Sequence, residues 1–182
     1  MSTKNNYIDK KEFWKSIYDY QVIRLKALDD GLKPPKIPDY IGECLIKISQ
    51  NLARLPRFAM YTFKDEMISD GVEHCIRYFN NFDPFVYKNP FAYFTTIAFN
   101  TFIRMIKSEK KKLYRRYKAI QDLGILDENE QLEDDNGFMR QFTVYKNIEE
   151  FIDTYEESER KFKEKKKEKK KLKEKQPGRL FE

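Results

Sequence analysis

The sequence predicts an all-α fold: a compact helical domain of about four helices, an additional C-terminal helix and a basic flexible tail. Three observations carry this. Apolar residues recur at helical spacing through successive stretches of the chain. Six Gly and seven Pro in 182 residues are too few for an all-β protein with many turns. Long runs of Lys, Glu, Leu and Ile favour helix. The 15 Phe and 12 Tyr supply a packed core, while 36% charged residues require long solvated faces or a tail.

The first helix is expected over 8–30, with Phe13, Ile17, Tyr20, Ile23/Arg24 and Ala27/Leu28 recurring along it and Gly31 as its stop. Residues 33–39, "KPPKIPD", cannot continue it, because three prolines remove donors and fix φ. They form a linker. Asp39 is placed to cap a second helix over roughly 40–55, with Ile41, Cys44, Leu45, Ile48 and Leu52 inward and Pro56 ending it. Thr62 and Asp65 resemble a capping box for a third helix over 63–80. Its inward stripe is Phe63, Met67, Val72 or Cys75, Ile76 and Phe79. Its outward stripe is Glu66, Ser69, Asp70, Glu73 and Arg77. Residues 80–90 are a loop, and Asn89-Pro90 is a start signal, with Asn as N-cap and Pro at the first helical position. The fourth helix, over 90–118, is apolar on most sides in its first half and reads as the central helix. Residues 122–135 form an acidic loop, and 140–160 a further helix around Phe142, Tyr145, Ile148, Phe151, Ile152 and Tyr155. Residues 160–175 could be helical but have almost no apolar face to bury, so an exposed or partly disordered tail is the expectation. The domain boundaries that follow are 1–120, 121–160 and 161–182.

Charge is distributed in blocks. Residues 160–175 carry Arg160 and ten Lys against three Glu, a net of +8, so the rest of this +6 chain sums to −2. Residues 104–118 carry eight bases and one acid, whereas 122–135 carry seven acids and no base. No signal-peptide core and no run of about 18 apolar residues occurs, so a soluble cytoplasmic protein is expected. Cys44 and Cys75 are isolated, and one His is present, so no zinc site and no cofactor is expected; both read as buried free thiols. His74 has no triad partners and no Gly-rich phosphate loop exists, which argues against an enzyme.

One stripe on the fourth helix stands apart: Tyr93, Thr96, Asn100, Arg104, Lys107 and Lys111, at spacings of 3 or 4. It begins aromatic and polar and becomes basic. Bases stack on aromatic rings and Lys or Arg neutralise phosphates, so the stripe suits nucleic acid. The competing reading is a solvated helix face.

Residues 66–83, "EMISDGVEHCIRYFNNFD", resemble the helix of bacterial sigma factors that runs D-L-I-Q-E-G and ends K-F-D, without a gap. Residues 87–106, "YKNPFAYFTTIAFNTFIRMI", resemble the following segment, F-S-T-Y-A-T-W-W-I-R-Q, at unchanged spacing. The chain is similar to sigma region 2, and more closely to the late-promoter sigma factors of T-even-type bacteriophages. The resemblance is firm over 40–118. It implies that the acidic face, here Glu66, Ser69, Asp70, Gly71, Glu73 and Ile76, docks on the clamp coiled coil of the host RNA polymerase's largest subunit. It implies that Tyr93 stacks on the flipped adenine of a melted −10 element and Asn100 reads the adjacent duplex edge. Arg104, Lys107, Lys110, Lys111, Lys112 and Arg115 would hold phosphates. The family's Trp pair is replaced by Thr96 and Ile97, which implies altered melting or a co-activator.

Residues 119–182 leave no room for the two later sigma domains, so −35 recognition is expected to be missing. In the phage family a short apolar C-terminus binds the replication sliding clamp, and "QPGRLFE" resembles it through Gln176, Leu180 and Phe181. Expected partners are therefore host polymerase, promoter DNA and the phage sliding clamp, in the cytoplasm of the infected host and away from membranes. The alternatives are a basic helical nucleic-acid-binding regulator that does not bind polymerase, and a helical regulatory partner protein.

Overall fold

A computed structural model describes residues 7–123 and 135–175, and the side chains of 7–123 and 146–171. Among the described residues there are six α-helices, one 3-10 turn and no strand, so the fold is all-α. The chain divides between Lys107 and Ser108 into two compact units.

In the first unit, α1 (Lys10–Asp29) starts at Asp9, whose carboxylate accepts the Lys11 and Glu12 amides at 2.8 and 3.1 Å. Gly31 ends it as expected, at φ +70°, a left-handed conformation that lets the Leu32 amide return to the Ala27 carbonyl at 2.7 Å. Phe13, Ile17, Tyr20 and Gln21 are buried, and of the later pairs Arg24 and Ala27 are half-buried. Ile23 and Leu28 are exposed. The Tyr20 hydroxyl donates to the Pro35 carbonyl at 3.0 Å and ties the proline linker back to this helix.

Helix α2 (Asp39–Ala53) buries Ile41, Cys44, Leu45, Ile48 and Leu52. Asp39 is not its cap. Pro38 holds that position in extended geometry and its carbonyl accepts the Ile41 and Gly42 amides. Pro56 opens a one-turn helix, α3 (Pro56–Ala59), whose Phe58 is enclosed edge-on by Phe99 and Phe102. Helix α4 (Lys64–Arg77) also lacks the expected capping box: Phe63 is its N-cap and no side chain caps it. Its buried residues are Met67, Gly71 and Cys75, spaced by four. Ile76, placed by periodicity on the inward stripe, is 48% exposed, since it lies about 100° around the helix from Cys75. A 3-10 turn (Phe79–Asn81) follows.

Helix α5 (Pro90–Asp122) begins as expected, with Asn89 Oδ1 accepting the Ala92 amide at 3.1 Å. Its first half is the centre of the first unit. Phe94 meets Phe13, Phe79 and Phe82 at 5.7–6.0 Å, and the Cys75 thiol donates to its carbonyl. Burial of each of these enclosed aromatic side chains contributes about 2 kcal/mol.

The second unit is built from the end of α5 and from α6 (Asp135–Lys175). Tyr117 lies edge-on to Phe151 at 5.4 Å, and Tyr114 stacks on Tyr155 at 4.5 Å and 19°. Numbers fall along α5 as they rise along α6, so the two helices are antiparallel. Ile148 and Ile152 are buried. The acidic stretch 124–134 lies outside the described residues. Of the two readings of the Lys-rich segment, the structure has the helix in place of the flexible tail: it runs to Lys175, continuous with the 148–155 stretch. Propagating a helix already nucleated and packed costs far less than starting one, and the Glu157–Lys161 pair at 2.7 Å adds a favourable i,i+4 contact. Residues 160–171 are exposed, as their composition requires.

Candidate functional site

On α4, Glu66, Ser69, Glu73 and Ile76 are exposed and Asp70 is half-buried. Spacings of 3 and 4 set these five on one face. Ser69 Oγ donates back to the Asp65 carbonyl at 3.0 Å, and Glu73 pairs with Arg77 while both stay largely solvated. Such an exposed pair contributes little to stability. The face is therefore a set of available carboxylates around one apolar side chain. Gly71 does not belong to it. It is buried against α2 and α5, where an added Cβ would come within 2.9 Å of the Phe102 ring and 3.1 Å of Ser49 Oγ. Its small size serves helix packing inside the domain, not approach of a partner from outside.

On α5 the residues of the first unit are arranged as the helical spacing requires. Thr96, Asn100, Arg104 and Lys107 are exposed; Tyr93 and Ile97 are half-buried. The Tyr93 ring leans on Phe82 at 5.2 Å and sits edge-on to Phe94 at 5.1 Å, with its hydroxyl donating to the Tyr78 carbonyl at 3.3 Å. Burial pushes its phenol above the ordinary range. Thr96 Oγ1 is occupied by the Ala92 carbonyl at 2.8 Å.

Arg104 has a partner that sequence spacing did not reveal. Its guanidinium donates to His74 Nε2, and His74 Nδ1 contacts the Asp70 carbonyl at 2.9 Å. A guanidinium only donates, so Nε2 accepts and the imidazole proton sits on Nδ1. His74 is thus the satisfied histidine expected, and it also links the acidic helix to the first cation of the basic stripe.

In the second unit, Lys111 and Arg115 are exposed one turn apart, Lys110 is exposed beside them, and Lys112 pairs with Glu109 at 2.6 Å. Gln176, Leu180 and Phe181 lie outside the described residues. Among the described residues no cluster of His, Cys, Asp and Glu could hold a metal ion, and no helix is long and apolar enough to cross a membrane. Burial pushes the Cys44 thiol up and the Cys75 thiol to about 12, which leaves both inert as nucleophiles near neutral pH.

One surface feature was not singled out from sequence. The loop before α5 exposes Phe85, Val86 and Tyr87, and it is pinned by Trp14 Nε1 donating to the Tyr87 carbonyl at 3.1 Å and by Tyr18 against Phe85 at 5.0 Å. Its density of aromatics in "FDPFVY" was the available signal.

No protein-family model and no curated protein matches this chain.

Proposed function

We propose that this protein is an RNA polymerase specificity subunit of the late-phage sigma type, directing host core polymerase to promoters through a −10 element. The observation that carries the proposal is the pairing of two faces on one core: solvated carboxylates on α4, and an aromatic-to-basic run on α5 from Tyr93 to Lys107. These are the faces the sigma resemblance assigns to polymerase and promoter. Glu66, Ser69, Asp70, Glu73 and Ile76 would dock on the basic clamp coiled coil, with Ile76 supplying apolar contact amid the charge. Gly71 contributes by holding α4 against the core.

On the DNA side, Tyr93 would receive a flipped base. Flipping costs a few kcal/mol, and stacking on an aromatic returns roughly 1–3 kcal/mol. Its ring is held on one side by Phe82 and at its hydroxyl by Tyr78, so little side-chain entropy remains to be lost on stacking. Asn100 can read a base edge and Arg104 and Lys107 can neutralise phosphates. Thr96 and Ile97 stand where the family has Trp, so a small polar and an aliphatic side chain would have to act at the duplex fork, with a co-activator or an easily melted sequence. Gln176, Leu180 and Phe181 would engage the sliding clamp and couple initiation to it.

The test is polymerase binding and transcription. Glu66→Lys with Asp70→Lys should abolish co-purification with host core polymerase and transcription from an A/T-rich −10-type template in vitro. Polymerase retained at wild-type levels would refute the docking face.

A further inference from the structure

We infer that the second unit holds a binding cleft for the sugar-phosphate backbone of duplex DNA, formed by Lys111 and Arg115 of α5 with Arg160, Lys163 and Lys167 of α6. Lys111 and Arg115 also belong to the proposed promoter contacts, but the cleft requires no polymerase. The three α6 cations are some 50 residues away in sequence and come to the α5 pair only because the helices pack antiparallel.

The cleft has a volume of about 680 Å³ and is lined by these five cations, Tyr114, Tyr155, Glu156, Glu159 and Glu164. Its charges are unevenly matched. Glu156 accepts the Tyr114 hydroxyl at 2.8 Å and lies 3.8 Å from Lys118, outside the five. Among the described residues, none of the five cleft cations is in an ion pair. Five cations therefore face three carboxylates, Glu156, Glu159 and Glu164, one of them shared with Lys118 outside the cleft, and the lining keeps an excess of positive charge. Like charges gathered on two packed helices are a cost to folding that a polyanion removes.

The shape selects the polyanion. Arg160, Lys163 and Lys167 follow one face of α6 over about 10 Å, and Lys111 and Arg115 run beside them over about 6 Å. Two parallel rows of cations match a line of phosphates rather than a single one. The tyrosines that line the cleft stack on each other, and the Tyr114 hydroxyl is already held by Glu156. They are committed to each other, whereas single-strand binders offer rings to successive bases. The cleft supplies charge without stacking, which fits a duplex backbone. Lys161, Lys165 and Lys169, equally exposed, lie on the opposite side of α6.

The experiment uses the full chain, without polymerase, and a labelled 20-base-pair duplex lacking a −10-like element, titrated by fluorescence anisotropy over a range of salt. The variant Arg160→Gln/Lys163→Gln/Lys167→Gln should bind about tenfold or more weakly at low salt and lose roughly 2–3 from the slope of log K against log salt, about 0.9 for each phosphate contact. Circular dichroism should show its helicity retained. The control Lys161→Gln/Lys165→Gln/Lys169→Gln removes the same charge from the opposite side of α6 and should leave the slope within about one unit. Glu159→Gln/Glu164→Gln should bind more tightly than wild type. Equal losses in the two triple variants would overturn the cleft in favour of bulk charge. A single strand preferred over the duplex, or poly-glutamate competing as well as DNA, would overturn it in favour of another polyanion. The cleft triple should still co-purify with polymerase, and the Glu66→Lys/Asp70→Lys protein, four charges more positive, should bind the duplex at least as tightly as wild type, so each proposal can fail alone.

Discussion

Gly71 on α4 sits directly against Phe102 on α5, so close that a methyl group there would approach the ring to 2.9 Å. Ser49 Oγ, buried and without a hydrogen-bond partner among the described residues, lies on the other side at 3.1 Å. The α2, α4 and α5 helices therefore meet at a point that admits only hydrogen.

The Gly71→Ala substitution weighs two effects. Alanine stabilises a helix interior by up to about 1 kcal/mol relative to glycine. Overpacking a filled core costs about 1–3 kcal/mol. Phe102 is fully buried and has no free direction to retreat, so overpacking prevails. The expected result is a net loss of about 1–2 kcal/mol in urea unfolding. An unchanged unfolding midpoint together with lost polymerase binding would return Gly71 to the outer face.

The Arg104–His74 contact fixes a tautomer. Imidazoles in water favour the proton on Nε2, whereas Arg104 makes Nε2 an acceptor and leaves the proton on Nδ1 facing the Asp70 carbonyl. Long-range nitrogen–proton NMR near pH 8 should show the Nδ1–H form in the wild-type protein, and Arg104→Ala should keep it, because the Asp70 carbonyl still accepts from Nδ1, while the Nε2 resonance moves on losing its donor. An Nε2–H signal in the wild type would mean that Arg104 does not reach the ring.

Alkaline pH should unfold the first unit through its buried acids. The native Cys75 thiol is held at about 12, against an ordinary value of 9.0, because burial disfavours the thiolate. Burial raises Tyr93 in the same sense. A group raised in the native state stabilises fully below its unfolded value and loses that contribution as pH climbs toward its native one. The unfolding midpoint should fall between pH 9 and 12, and Cys75→Ala should flatten that slope. At pH 8, iodoacetamide should modify Cys75 only at the rate of unfolding; rapid labelling of the native protein would show an accessible thiol.

What the sequence reveals depends on whether a feature is set locally. Asn89-Pro90 starts α5 and Gly31 ends α1 because both devices act on the backbone within a few residues. Thr62 with Asp65 has the letters of a cap, but α4 begins after Phe63, since tertiary packing chooses the first turn among near-equal options. Gly71 could be read as outward only while Phe102 and Ser49, 31 and 22 residues away, were not known to be its neighbours. The Lys-rich segment has a helix-forming composition but no apolar face of its own, and what anchors its helix, Phe151 and Tyr155 packed on α5, lies before it in the chain. Both candidate faces are legible as stripes, because helical periodicity alone sets which side chains share a side.

Tyr93 separates structure from function by two substitutions. Tyr93→Phe removes only the hydroxyl bond to the Tyr78 carbonyl, which contributes about 0.5–1.5 kcal/mol, and keeps the ring for stacking. Tyr93→Ala removes the ring as well, and with it the contacts to Phe82 and Phe94, so it should destabilise more. If the ring receives a flipped base, Tyr93→Phe should initiate near wild-type levels on both duplex and pre-melted promoters at a temperature where it is folded. Tyr93→Ala should lose about tenfold on the duplex, the equivalent of roughly 1.4 kcal/mol of stacking, and much less on the pre-melted template, where unpairing is already done. Equal losses on the two templates would assign the ring to the core alone, because a folding defect lowers active protein without regard to the state of the DNA.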